Sequence, residues 1–573
     1  MALVASLALH SAWASEPEVG AARTACATPP ATQQALSVEA AARLLTQATF
    51  GPAPQDISHL QKVGERAWLQ EQFAMPASVT HLQLGPDGMP LPPTLGHSFW
   101  RHVITGPDQL RQRVAMALSE IFVVSGRDVC GSTWQGITSY HDMLLASAFG
   151  SYRQLLENVT LHPVMGCYLS HLRNRAEDTR TGRVPDENYA REVMQLFSIG
   201  LVELNKTGMP KLNAQGTAIE TYTADDVTGL AKVFTGWSWD CPQYPSDNCF
   251  QYRGTAPRRD PPDPWVVPML PYPKFHSTGE KRFLGIRIKS SWSSNPEDDL
   301  QAALDRLATH PNVAPFIGKQ LIQRLVTSNP SPDYIGRVAK AFDEHQGSLQ
   351  AMVQAILLDP EARAPTPNTA SAQGKVKEPL LRLSSLLRAF HATSATGRFT
   401  IGDTHEASLG LNQAIYDSPS VFNFFRPGYM PPGTQAASRK LVAPELQISN
   451  ETSMAGYASF MDLTLWAGLG EHVQHSHKVI HPADVKLEYQ LGDGAGWLAP
   501  QISSSELVER INQRLLFGAM SPGLRQDMQT ALAGQDTALQ AATSPDTQAF
   551  LARNRLWQAL LMAVVSPEFC VQR

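Results

Sequence analysis

The side chains best suited to chemistry are concentrated in Pro185-Asp186-Glu187-Asn188-Tyr189-Ala190-Arg191-Glu192-Val193-Met194-Gln195-Leu196-Phe197-Ser198-Ile199-Gly200. Wound as a helix, this segment puts Tyr189, Val193, Leu196 and Phe197 on one stripe and Asn188, Glu192 and Gln195 on another, with Glu187 and Arg191 one turn apart. The first stripe is a core face. On the second, Glu192 has the chemistry of a general acid or base, or of a metal ligand, while Asn188 and Arg191 suit orientation of an anionic or hydroxylated substrate. The same groups also suit a solvated face or a buried ionic network.

Histidines flank this segment. His162 and His171 stand nine residues apart, which is not the i, i+4 spacing of a helical metal pair, and HExxH occurs nowhere. His276 ends a Pro-rich stretch and is followed by Lys281. His162, His171, Glu192 and His276 are the candidate ligands of one divalent metal if folding brings them together, because zinc and iron sites combine imidazole with carboxylate. Taken singly, each histidine suits a hydrogen-bonded structural role. His276 and Lys281 are expected to approach Glu192, Arg191 and Asn188 from the Pro-rich stretch.

Other chemistries lack local support: the chain has no Gly-x-Ser-x-Gly elbow, no Walker loop and no dinucleotide fingerprint after a strand. Asp225 and Asp226 resemble a carboxylate pair, but their place in a first helical turn, after Thr223, marks a capping box. The loop Asp417 to Gly433 mixes aromatic rings, prolines and Arg426. That composition suits carbohydrate or peptide binding, and equally the packing of a loop on a core.

The elements that must position these groups are mostly helices. Capping residues and apolar spacing of 3.6 predict helices at 37–48, 108–124, 135–149, 186–200, 296–308, 311–327, 347–357, 375–391, 440–467, 504–515 and 547–564, with others after Thr223 and Ser331. Period-two alternation is confined to the short stretch 281–289. The fold is therefore mainly α, a multi-helical globular domain with a minor short β element. Nine prolines between 240 and 278 exclude a long helix there. Cys241 and Cys249 bracket part of that excursion, and a disulfide between them would staple it. Cys26, Cys130, Cys167 and Cys570 have spacings compatible with any pairing or with none.

Met1 to Ala14 is an apolar run closing on Ala12-Trp13-Ala14, the pattern of a signal peptide cut before Ser15. Its missing basic n-region points either to a start upstream of Met1 or to an ordinary first helix. Residues 15–36 read as a disordered leader and 37–573 as one helical domain. The apolar run Leu556 to Val565 is too short to span a bilayer. A net charge of −5 and a pI near 6.4 exert no pull toward nucleic acid. The expected location is periplasmic or extracellular.

Several blocks, in order, resemble the bacterial domain-of-unknown-function family numbered 1800. They are Arg43-Leu44-Leu45-Thr46-Gln47-Ala48-Thr49-Phe50-Gly51-Pro52, Pro163 to Ser170, Glu187 to Gly200, Phe234-Thr235-Gly236-Trp237, His276 to Gly285, Ser418 to Phe425 and Ala443-Pro444-Glu445-Leu446-Gln447. The resemblance implies a largely helical exported protein, often encoded beside a sulfatase-like, twin-arginine-exported family numbered 1501. It implies no reaction. Two functions follow as expectations: an enzyme or enzyme partner acting on an extracytoplasmic polymer such as polysaccharide, or a non-catalytic binding or assembly module for the sulfatase-like protein. The first requires Asn188, Glu192 and His276 around one concave pocket; the second requires buried ion pairs there and exposed apolar surface elsewhere.

Overall fold

The computed structural model describes residues 36–84, 90–91, 95–127, 134–252, 263–293, 295–364, 374–470, 483–492 and 496–572. The expected signal peptide and most of the expected leader lie outside these, as do Cys26 and Cys130. The first described helix, Val38–Ala48, begins where the sequence places it: the Ser37 hydroxyl accepts from the Ala40 N–H, and Leu44, Leu45 and Ala48 point into the core. The same logic starts the helices Pro332–Glu344 at Ser331, Ala224–Ala231 at Thr223 and Pro545–Val564 at Ser544. Asp226 closes the capping box with Thr223, so this carboxylate caps a helix, as its position predicts.

Helices account for nearly all the regular structure, and residues 36–573 form one compact unit. Among the described residues the strands are two or three residues long and pair as two-stranded antiparallel ladders. The alternating stretch 281–289 is one of these, with Lys281–Phe283 and Ile286–Ile288 turning at Leu284 and Gly285. One continuous apolar core runs from Ala41 to Phe569. Its centre is the helix Val313–Leu325, packed on Pro332–Glu344 and Leu349–Leu357 and reached by Gln109–Ser119. The helix expected from residue 440 begins only at Glu451; before it, Pro444–Ile448 is a single tight turn. Asn450 is the physical start, because its side chain accepts from the Ser453 N–H.

A cluster of charges is sealed inside this apolar mass. Lys375 Nζ lies 3.0 Å from Glu445 Oε1 and 3.6 Å from Glu378 Oε1, and Arg324 Nε lies 3.3 Å from Glu120 Oε2. Arg113, fully buried, donates to the Arg324 carbonyl at 2.6 Å and faces Glu378 at 4.0 Å. Gln413 donates to the other Glu378 oxygen at 2.9 Å. Burial and the adjacent Glu378 push the Glu120 carboxyl well up, while Lys375, Arg113 and hydrogen bonds hold Glu378 low against its own burial.

The Pro-rich excursion is ordered where it is described. Cys241 and Cys249 are joined, with Cα atoms 5.8 Å apart. Cys249, Phe250 and Tyr272 form a small satellite core, and Phe250 stacks on Phe275 at 3.8 Å. Cys167 is disulfide-bonded and Cys570 is a free thiol. No helix among the described residues is long and apolar enough to cross a membrane.

Removing one partner from the sealed charge cluster leaves the others buried and uncompensated, which costs about 3–5 kcal/mol. Glu378→Ala is accordingly expected to lower the unfolding free energy by that amount in a urea titration. A loss below about 1 kcal/mol would mean that the cluster contributes little to the fold.

Candidate functional site

The segment singled out by its polar groups begins as a helix, Asn188–Glu192, and then widens into a π-helix, Val193–Ser198. Tyr189, Val193 and Phe197 of the expected core stripe are buried, whereas its Leu196 is half-buried like Asn188, Glu192 and Gln195. Arg191 pairs with Glu187 at 3.2 Å, and Glu187 also accepts from Thr228 Oγ1 at 2.7 Å. Asn188 Nδ2 reaches Ser170 Oγ at 3.4 Å, and the Tyr222 hydroxyl donates to Gln195 at 3.3 Å. Glu192 differs from its neighbours: its Oε2 is buried with no hydrogen-bond partner. Burial raises its carboxyl above the ordinary range, with Arg191 opposing.

His276 and Lys281 are brought together, but by Asp299. Asp299 Oδ2 lies 2.9 Å from His276 Nε2 and 2.8 Å from Lys281 Nζ. The second imidazole nitrogen donates to the Thr235 carbonyl at 2.6 Å, and Lys281 donates to the Ser277 carbonyl at 2.6 Å. Both side chains are thus enclosed, and their polar atoms are directed at protein acceptors. This geometry explains Gly236: at φ 75° it backs onto His276, and a Cβ there would lie 2.8 Å from the histidine backbone nitrogen.

The remaining candidate ligands also have local roles. His162 caps the helix Pro163–Tyr168, its Nδ1 accepting from the Val164 N–H at 3.3 Å, and burial lowers it to about 3. His171 stacks on Tyr189 at 3.8 Å and donates to the Thr160 carbonyl at 2.8 Å; burial lowers it to about 4. Among the described residues, no group of three or more His, Cys, Asp or Glu side chains is arranged to hold a metal ion. The loop Asp417 to Gly433 is packed in part, with Phe425 buried, Asp417 paired to Arg127 at 2.7 Å, and Arg426 and Met430 exposed. Arg426 lies 4.6 Å over the Phe422 ring.

A larger concavity, of about 490 Å³, lies elsewhere. One wall is Pro52, Pro54 and Ile57, at the start of the helix Pro54–Val63; the other is the helix Ser504–Ile511 and the π-helix Asn512–Leu516 that continues it. Trp497 also lines it, its indole N–H donating to Glu488 at 2.8 Å. Arg514 lies 5.3 Å over the Trp497 ring, and Arg510 pairs with Glu506 at 2.7 Å on the rim. Phe517 closes one end in the left-handed conformation, φ 54°. A phenylalanine held there costs backbone energy, and such residues cluster at ligand clamps, as π-helical turns cluster at functional sites. These residues carry no sequence motif. The visible signal was the spacing of Glu506, Glu509, Arg510, Gln513 and Arg514, which puts carboxylates, guanidiniums and an amide on adjacent turns.

The family profile described as "Protein of unknown function (DUF1800)" matches residues 43–571. No curated protein and no solved structure matches the chain.

Asp299 supplies a pH test of the His276–Lys281 arrangement. Burial alone would raise its carboxyl, but hydrogen bonds and charge from His276 and Lys281 hold it below the ordinary value. A depressed carboxyl stabilises the fold above the unfolded pKa of about 3.9 and loses that contribution as pH falls through the lower folded value. Asp299→Asn should therefore flatten this acid limb and cost roughly 3 kcal/mol at pH 7, the lower end of the cost of breaking a buried pair. An unchanged denaturation profile between pH 2 and 7, pH values spanning roughly the carboxylate range, would refute a structural role for the triad.

Proposed function

The chain belongs to the DUF1800 family of proteins of unknown function, and on that footing we propose that it is an extracytoplasmic binding protein for a polysaccharide, holding the polymer in the groove between Pro54–Val63 and Ser504–Leu516. The groove itself carries this reading. Its volume falls in the range of about 300–1,000 Å³ typical of ligand sites. Its lining sets the apolar Phe517 and Ile57 beside Glu506, Arg510 and Gln513. Pyranose rings present the matching pattern, an apolar C–H face edged by hydroxyls, and aromatic rings take the first while charged and amide groups take the second.

An oxidising location is supported by the Cys241–Cys249 bond and by the bonded state of Cys167. In this reading, a sulfatase-like exported protein of the family numbered 1501 is the partner that acts on the polymer. Leu201, Met209 and Leu212, each about half exposed or more on the segment between 200 and 222, supply apolar surface for such a contact.

Phe517→Gly separates binding from folding, because glycine accepts the left-handed conformation without strain. The variant should keep or slightly raise the melting temperature and lose about tenfold in polysaccharide affinity, roughly 1.4 kcal/mol. Affinity electrophoresis through gels containing neutral or anionic polysaccharides reads this directly. Equal migration of the protein in every gel, or undiminished retardation of Phe517→Gly, would refute the proposal.

A second reading is favoured by the orphaned Glu192 Oε2. A carboxyl raised by burial, next to Arg191 and Tyr222, is poised to exchange a proton with a ligand on the Asn188–Gln195 face. Here Glu192→Gln is expected to abolish any polysaccharide cleavage while leaving groove binding intact, with loss of at least about 100-fold in rate. Cleavage that survives this change would eliminate Glu192 as the acid or base.

A further inference from the structure

Three of the buried lysines can be compared within this one chain. Lys375 lies 3.0 Å from Glu445, and Lys281 lies 2.8 Å from Asp299. Both are enclosed cations satisfied by a carboxylate, as burial of charge requires. Lys377 is 93 % buried as well, but no carboxylate among the described residues lies within ion-pair distance of its ammonium. Its Nζ instead sits 4.0 Å over the Phe569 ring.

Lys377 also faces space. It lines a cavity of about 130 Å³ together with Arg43, Glu568 and Phe517, and a narrow void of about 10 Å³ that shares Phe517 and Arg514 with the large groove. Its backbone is fixed on both sides, the amide donating to the Cys570 carbonyl at 2.8 Å and the carbonyl accepting from Arg382 Nε at 2.7 Å. Burial, with Arg382 nearby, lowers the ammonium to about 8, although Cys570 opposes the shift. Near neutral pH a usable fraction is then the free amine, the form with a lone pair.

We propose that Lys377 is an amine nucleophile that captures the carbonyl carbon of a small aldehyde or 2-oxo acid as an imine. The amine lone pair forms the C–N bond as the carbonyl π pair moves to oxygen. The two amine protons leave with that oxygen as water, so lysine and carbonyl compound become imine plus water with no oxidant or reductant. The cavity admits a ligand of a few heavy atoms. Arg43, on its wall, is paired with Glu39 at 3.0 Å, and Phe517 lines both this cavity and the groove. This site is separate from polysaccharide binding: Phe517→Gly reads the groove, and covalent capture reads Lys377.

The test uses the full chain at pH 7 with sodium cyanoborohydride, which reduces an imine to a stable amine, and either glycolaldehyde or pyruvate as probe, followed by peptide mapping. Lys274 and Lys340, both well exposed, are internal references. Lys377 should be alkylated at least about tenfold faster than either, since an ordinary lysine of pKa about 10.4 is almost wholly protonated at this pH. Selective capture of glycolaldehyde assigns an aldehyde ligand, and selective capture of pyruvate a 2-oxo acid. Alkylation of Lys377 by both probes at or below the reference rate overturns the proposal. Lys377→Arg, which keeps the cation over Phe569, should remove the fast-reacting site. The comparison with Lys274 and Lys340 in the unaltered protein decides the matter even if that variant does not fold.

Discussion

The sealed charge cluster of Arg113, Glu120, Arg324, Lys375, Glu378 and Glu445 is the constraint on which the rest of this structure depends. Its members come from the helix Gln109–Ser119 and its end, the helix Val313–Leu325, the strand Lys375–Val376, the start of the helix Pro379–Ala389 and the turn Pro444–Ile448. Charges inside an apolar core tolerate one arrangement, because any displacement leaves a group unpaired at a cost of several kcal/mol. Four segments distant in sequence are therefore held in fixed relation. The long irregular stretch between residues 390 and 450 is tied to that point through Gln413 and Glu445.

The cluster also positions the chemistry nearby. Lys375 pairs in register with Gln572, whose amide donates to the carbonyls of Leu325 and Val326. That ladder brings the C-terminal turn against Lys377 and sets Phe569 under its ammonium. Lysines two residues apart thus acquire opposite characters. Lys375 faces the cluster and is neutralised by carboxylates, while Lys377 faces the cavity, with no carboxylate among the described residues within ion-pair distance. The same division separates His276 and Lys281, which are bound to Asp299, from Glu192, whose buried Oε2 has no hydrogen-bond partner among the described residues.

Much of the fold was legible from residue order. Ser37, Thr223 and Ser331 start helices because their hydroxyls satisfy otherwise unpaired N–H groups within three residues, a purely local interaction. The stripe of Tyr189, Val193 and Phe197 turned inward because apolar spacing dictates which face is buried. The π-helical widening at Val193 was not legible, nor was the one at Asn512, since each depends on what packs against the helix. The helix Pro54–Val63, which forms half of the groove, carries a single buried residue, Leu60, and so lacks a strong apolar signature.

By itself the sequence determined the helical class, the capped starts, the Cys241–Cys249 staple and the family, because each rests on residues close in the chain or on blocks in fixed order. Tertiary structure alone decided which polar groups are engaged and which are not. His276, Lys281 and Glu192 have equal standing in a string of letters. Only the arrival of Asp299 beside the first two, and of nothing beside Glu192 Oε2, distinguishes them. The groove between Ile57 and Phe517 and the cavity at Lys377 are likewise products of packing, assembled from segments hundreds of residues apart, where proximity depends on the core and not on spacing.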